Sequence, residues 1–337
     1  MFRFSKVEFG CESLAANPAP IENLGAQLRG GFGAVLHERL CHHEHAGTCG
    51  GGAQAAADGD GCEYLRLFKP CRCVTGETLA GRPLGNQHHL PAPFVISALP
   101  DAERGIRAGE RFSFEFVSLG ALCDSYWYPV AAFEVFGARG LRRRDDTRTP
   151  FQVVAVKDQL AGGRSLFSDR RLCPPVARDI ERTIGEWLPA GAPPALEVAF
   201  LTPVSVRWAK ARRLDAATGL ALFVDFYDLV RAVLDRVAGL WQLYGAEGWR
   251  GQAEYYRWYN QLLAAARSIQ TLQADLRIEQ GERYSHAHEK DLPLTGFVGK
   301  MQFAGDFTPF LELLLIGEII HLGQQTTNGL GRYSLLF

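Results

Sequence analysis

The stretch FYDLVRAVLDRVAGLWQLY, Phe226 to Tyr244, decides how the chain is read. Phe226, Leu229, Val230, Val233, Leu234, Val237, Leu240, Trp241 and Tyr244 recur at helical spacing, so the segment is one long helix with a buried face. Ahead of it, Leu196, Val198 and Phe200 alternate with Glu197, Ala199 and Leu201, the period of a strand. Behind it, residues 253–276 read as a second helix, and Tyr284 to Thr295 with Phe297 to Phe303 as a pair of strands. Pro309 to Leu322 reads as a helix capped by Thr308, and Leu330 to Phe337 as the last strand. The second half therefore runs strand, helix, strand, strand, helix, strand.

The first half carries the same order. Phe2 to Phe9 has strand composition, and Asn23 to Cys41 is a helix with an apolar stripe of Leu24, Leu28, Phe32, Val35 and Leu36. Phe94 to Leu99 and the alternating Phe112, Phe114 and Phe116 are strands, Tyr128 to Phe136 a short helix, Gly137 to Thr149 a glycine- and arginine-rich turn, and Phe151 to Val156 a buried strand. Similar turns follow each half's second helix: Phe136-Gly137-Ala138-Arg139-Gly140-Leu141-Arg142, and Asn328-Gly329-Leu330-Gly331-Arg332. The predicted fold class is α+β, a tandem of ferredoxin-like domains closed by a C-terminal glycine-rich loop. The expected domains are residues 1–160, with a Cys/His-rich insert at 41–85, and residues 195–337. A proline-rich linker at 161–194, with one short helix from Val176 to Leu188, joins them.

With 337 residues, 47% of them apolar, the chain can fill two cores. No run approaches the roughly 20 apolar residues of a membrane span, and the start lacks the blocks of a signal peptide, so a cytoplasmic protein without membrane contact is expected. A net charge of −1 excludes a general nucleic-acid coat, because nonspecific binding is mostly phosphate neutralisation. Any RNA site must be local. The eight cysteines are expected as reduced thiols.

Near the end stands Gly317-Glu318-Ile319-Ile320-His321-Leu322-Gly323-Gln324-Gln325-Thr326-Thr327-Asn328-Gly329-Leu330-Gly331-Arg332-Tyr333. Its glycines would let backbone amides approach a phosphate, or would simply cap a helix and turn a hairpin. Leu292-Pro293-Leu294-Thr295-Gly296-Phe297-Val298-Gly299 and Phe303-Ala304-Gly305 precede it. The region from Asp291 to Tyr333 resembles the C-terminal part of CRISPR repeat-processing endoribonucleases of the RAMP superfamily. The likeness extends to Leu201-Thr202-Pro203, to Leu28-Arg29-Gly30-Gly31-Phe32-Gly33, to Cys62-Glu63-Tyr64-Leu65-Arg66-Leu67-Phe68 and to Pro91-Ala92-Pro93-Phe94-Val95-Ile96. It implies binding of CRISPR repeat RNA (pre-crRNA and crRNA), association with CRISPR effector-complex subunits, and cleavage by a ribose 2′-hydroxyl that leaves a 2′,3′-cyclic phosphate and a 5′-hydroxyl. A noncatalytic RAMP subunit that retains guide RNA in an effector complex is the alternative.

Such a reaction needs in-line geometry, a base, an acid and cations on the phosphate, and no metal or other cofactor. Imidazole titrates in the useful range. His37 is the first candidate: on a helical wheel it lies opposite the apolar stripe, on a face with Ala26, Gly30 and Gly33 that RNA could approach. It reads equally as a solvent-side histidine. The resemblance places a catalytic histidine on or just after this helix, where His42, His43 and His45 follow. His286 and His288 share one face of a predicted strand.

For phosphate, Arg207, Lys210, Arg212 and Arg213 form a run of four cations without acids, in a hairpin that is otherwise a solvated loop. Arg139, Arg142, Arg143, Arg144 and Arg148 form a second cluster, partly offset by Asp145 and Asp146. Arg29 lies beside the first helix's glycines. Lys300 and Arg332 lie near the C-terminal loop, whose Gly323, Gln324, Asn328, Gly329 and Gly331 complete the RNA-binding candidates. Gln324 stands where the resembled family often has lysine, which leaves binding without cleavage open. Cys41, Cys49, Cys62, Cys71 and Cys73, with nearby histidines, are enough ligands for a structural zinc, but the spacing fits no standard finger and the loop cysteines read equally as having no special role.

Overall fold

The computed structural model describes residues 2–15, 23–41, 62–68, 70, 90–98, 108–143, 145, 147–168, 171–189, 191, 193–208, 211–245, 252–285 and 290–337. The chain divides into two units, one of Arg3–Ala177 and one of Arg178–Phe337 together with Met1–Phe2.

The first unit contains β1 (Arg3–Ser13), α1 (Leu24–Leu40), α2 (Glu63–Leu67), β2 (Phe94–Ala98), β3 (Arg111–Leu119), α3 (Trp127–Arg139), β4 (Leu141–Arg142), β5 (Arg148–Thr149), β6 (Phe151–Asp158), β7 (Arg164–Ser165), β8 (Phe167–Ser168) and β9 (Arg171–Leu172). Its main sheet runs β2-β3-β1-β6-β7, with antiparallel neighbours. Numbering β1, β2, β3 and β6 as the four principal strands gives the spatial order 2-3-1-4. That order defines the ferredoxin-like fold once a helix follows strands one and three.

Alternation in β1 buries Val7, Phe9 and Cys11 beneath the helices and leaves Lys6, Glu8 and Glu12 part-exposed on the other face. The core is aromatic: Phe9, Phe32, Phe94, Phe114, Phe116 and Phe133 are all fully buried, each contributing about 1.5–3 kcal/mol by burial. Phe32 lies edge-on to Phe68, Phe94 and Phe116 and stacked on Phe133, which fixes α1 over the sheet. Two glycines set how closely the helices pack. A Cβ on Gly31 would lie 2.3 Å from the Phe136 ring of α3, and one on Gly33 2.1 Å from the Phe68 ring beside α2.

The second unit contains β10 (Arg178–Asp179), α4 (Ile180–Trp187), β11 (Ala195–Val204), α5 (Phe226–Tyr244), α6 (Gln252–Ala266), β12 (Gln270–Glu279), β13 (Glu282–Ser285), β14 (Lys290–Pro293), β15 (Gly296–Ala304), α7 (Leu311–Ile320) and β16 (Tyr333–Leu336). The sheet β12-β15-β11-β16 repeats the 2-3-1-4 order. The α5 stripe is buried from Phe226 to Leu240 and half-buried at Trp241 and Tyr244, and Asp225 caps the helix by accepting the Asp228 N–H at 3.3 Å.

Several expectations are corrected. The helix expected over 253–276 ends at Ala266, and Gln270–Glu279 is the second principal strand, paired with β15 through a bulge at Thr271/Gln273. Half-buried Thr271, Leu276 and Ile278 give the strand its inner positions, and sheet pairing overrides the helical propensity of Gln, Ala, Leu and Arg. The expected strand 284–295 is instead a separate hairpin of β13 with β14. Thr308 is not the cap of α7: its own N–H and hydroxyl donate to Asp306, and the helix starts later, at Leu311. The turn expected at 137–149 is the last turn of α3 followed by the β4–β5 hairpin. Residues 161–194 carry β7 to β10 and α4. Among the described residues, no helix is long and apolar enough to cross a membrane.

Candidate nucleic-acid interface

His37 sits in the last turn of α1, part-exposed, its ring edge-on to Tyr64 with centroids 4.9 Å apart. Tyr64 is buried in α2 and stacks on Phe68, over which the Arg29 guanidinium lies at 4.6 Å. The open face of α1 is narrower than the wheel indicated. Gly33 is buried against the Phe68 ring beside α2, Ala26 is buried as well, and the exposed stripe is Gly30, Ala34 and Glu38, with His37 at its edge.

Beside His37, Arg139 grips Glu38 with two hydrogen bonds of 2.7 and 2.5 Å. That bond and the charge behind it hold the Glu38 carboxyl below its ordinary range. Gln27 of α1 clasps the backbone of Arg142 in both directions at 2.7 Å, which leaves the Arg142 side chain exposed close to the helix. Arg143 is corrected as a phosphate ligand: it is only 2% exposed, and its Nε donates to the Thr149 hydroxyl inside the hairpin. The structure thus brings His37, Glu38, Arg139 and Arg142 along one side of α1. His42, His43, His45 and Arg144 lie outside the described residues, as do His286 and His288.

In the second unit, residues 211–223 fold back on themselves through a Leu214–Ala221 bridge and the Asp215–Gly219 turn. Arg207 and Arg213 are exposed, Arg207 donating to the Thr218 carbonyl at 3.2 Å, and Lys210 lies outside the described residues. Arg212 is not part of an acid-free run in space. It donates to Asp225 at 2.7 and 2.5 Å, pairs with buried Asp228 at 2.7 Å and lies 5.1 Å over the Tyr227 ring. It therefore fastens the hairpin to the start of α5, with little charge left for phosphate.

Burial of Asp225 works against ionisation, but the hydrogen bond and charge of Arg212 outweigh it and hold its pKa below the usual 3.8. The stability this pair supplies is complete above the unfolded carboxylate's pKa and is lost as pH falls through the depressed folded value. Thermal midpoints measured from pH 6 down to about pH 2 should fall more in the native protein than in Asp225→Asn, which lacks the titrating group.

The glycines of the C-terminal loop set the course of its backbone. Gly323, Gly329 and Gly331 adopt positive φ of 71°, 87° and 78°, and His321 and Gln325 share that region at 60° and 61°. The amides of Leu322, Gln324, Asn328, Gly329 and Gly331 all donate to protein carbonyls, and that of Arg332 to the Thr202 hydroxyl. Asn328, Gly329 and Gly331 are buried, which leaves Gln324 exposed and Arg332 part-exposed at the loop surface. Lys300, exposed on β15, donates to Glu197 at 2.7 Å.

Sequence reasoning missed Arg236. It falls seven residues after Leu229 and four before Leu240, so a cation inside the apolar stripe of α5 was its signal. Its Nε donates to the Ile320 carbonyl at 3.4 Å and its Nη2 to the Thr326 hydroxyl at 2.8 Å. The five described cysteines are free thiols, Cys62 buried and Cys41 part-buried. Cys49, Cys71 and Cys73 lie outside the described residues, and among the described residues no three metal-ligating side chains converge.

The two units each have the ferredoxin-like strand order, and each carries local cations on a near-neutral chain. Residues 2–177 match the AF_1859_N N-terminal domain model, and residues 198–333 match the model of CRISPR-associated endoribonuclease Cas6. The chain therefore carries an AF_1859_N N-terminal domain in its first half and a match to the Cas6 endoribonuclease model in its second. It is similar in fold to a Thermus thermophilus Cas6 (TTHB231) product complex, with a TM-score of 0.51 and 15% identity over 98% of this chain and 100% of that one. It is also similar to a chain of a partial Cas6-RT-Cas1–Cas2 complex, with a TM-score of 0.53 and 14% identity over 100% of this chain and 46% of that one. At such identities the likeness is one of fold. No curated protein sequence matches significantly.

Proposed function

We propose that the chain is a metal-independent endoribonuclease that binds CRISPR repeat RNA in precursor transcripts and cuts it to mature guide RNA. The match of residues 198–333 to the Cas6 endoribonuclease domain carries this reading. A histidine part-exposed at the end of α1, with the exposed Arg142 on the same side, supports it.

In this reading His37 takes the proton of the ribose 2′-hydroxyl. The 2′-oxygen bonds to the adjacent phosphorus, the bond from phosphorus to the 5′-oxygen breaks, and that oxygen takes a proton from solvent water as it leaves. His42 is the second candidate for this proton work. Arg29, Arg142, Arg207, Arg213 and Arg332 supply positive charge along the RNA backbone. CRISPR effector-complex subunits would receive the product. A structural zinc on the cysteines at 41, 49, 62, 71 and 73 is a separate proposal, read by native mass spectrometry as one zinc per chain.

The test is incubation with the repeat RNA of the protein's own locus in excess EDTA, with end groups resolved on a gel. A 2′,3′-cyclic phosphate and a 5′-hydroxyl are expected. Cleavage that stops with EDTA and returns with a divalent ion would overturn the mechanism, and tight binding without cleavage would favour a noncatalytic guide-RNA subunit.

A further inference from the structure

We infer that Arg236 is a positioning residue for RNA, which ties the two limbs of the 320–331 loop together so that Gln324 and Arg332 meet the strand. This rests on the RNA reading of that loop. Ile320 is the last residue of α7, where helix carbonyls lack internal partners, and Thr326 opens the single helical turn Thr326–Asn328 on the far limb. One planar guanidinium donates to both.

The neck of the loop is already closed without Arg236. His321 Nδ1 lies 3.1 Å from the Leu330 carbonyl, and the Leu322 N–H donates to Gly331 at 2.8 Å. Arg236 therefore adds little to closing the loop and fixes where its far limb stands. Arg236 is half-buried, and this desolvation lowers its pKa to about 10, so it still carries its charge at neutral pH within an otherwise apolar helix face. A hydrocarbon side chain would fill that place without the cost of desolvating a cation, and what it could not do is hold two acceptors at a set distance.

The experiment measures single-turnover cleavage of the locus repeat RNA against protein concentration for the full chain, with thermal midpoints alongside. Variants are Arg236→Gln, Arg236→Lys, Thr326→Val and Arg332→Ala. Thr326→Val keeps the shape of the side chain and removes one acceptor, so it reads the same geometry in a chain that folds. Arg236→Gln and Thr326→Val are expected to raise the half-saturating concentration about tenfold, the scale of one hydrogen bond to a charged group. The saturating rate should stay within about twofold, and Arg236→Lys, a point donor, should recover part of the affinity. Unchanged half-saturation in both variants, while Arg332→Ala weakens binding, would overturn the positioning role and keep the RNA reading of the loop. If Arg332→Ala also changes nothing, the RNA reading of the loop fails with it.

Discussion

Replacing His37 with alanine is expected to slow cleavage of repeat RNA by about 10²–10⁴-fold, the range for a lost general base, with RNA affinity within about twofold. The imidazole lies outside the aromatic core: it touches the edge of Tyr64 and is part-exposed, so its loss opens no cavity under α1. The His37 carbonyl still accepts the Cys41 N–H at 3.1 Å, so the end of the helix is retained in the variant. Glu38→Ala is the matched control. It removes the partner of Arg139 from the neighbouring position and should leave the saturating rate within about threefold, because exposed ion pairs contribute little. The measurement is single-turnover decay on a gel beside an equilibrium binding curve. Cleavage that survives His37→Ala would move the base to His42, His43, His45 or His286.

Both sheets were legible in the sequence wherever one face of an element is buried, because a buried face must repeat every second or every 3.6 residues. The alternation of Phe112, Phe114 and Phe116 and the stripe of α5 show it. The strand β12 was not legible: most of its ten residues are exposed, so no inner-face pattern outweighed the helical propensity of QADLR, and only pairing with β15 decides its state. At the candidate site the residue types were visible and their partners were not. Arg139 and Glu38 are 101 positions apart, so no local rule could show that two exposed charges cancel beside His37. Arg212 looked acid-free in a run of cations, but Asp225 and Asp228 reach it from the next element. The narrow open stripe of α1 depends on where Phe68 lands, a tertiary fact that the wheel of α1 alone cannot contain.

Gly331→Ala should separate the two meanings of the C-terminal glycines. If they existed to let amides approach a phosphate, a methyl group would weaken RNA binding and leave the fold alone. The geometry says otherwise. At φ of +78° an L-residue costs roughly 1–2 kcal/mol, and the new Cβ would also lie 1.9 Å from the Leu322 carbonyl oxygen. Neither backbone can yield freely. Leu322 donates to Gly331 at 2.8 Å, Gly331 donates to Pro203 at 3.0 Å, and Tyr333, two residues on, is buried with its hydroxyl bonded to the Leu314 carbonyl. The loop, β11 and α7 are therefore held by one short segment. A loss of roughly 3 kcal/mol or more in denaturant unfolding is expected, several times what an ordinary surface substitution costs, together with weaker RNA binding. Gly30→Ala is the contrast: nothing lies within 4 Å of its Cβ, so stability should hold or rise slightly with the better helix former. Stability unchanged in Gly331→Ala with RNA binding lost would return the phosphate-nest reading. Both lost together would mean that these glycines build the loop on which RNA binding depends.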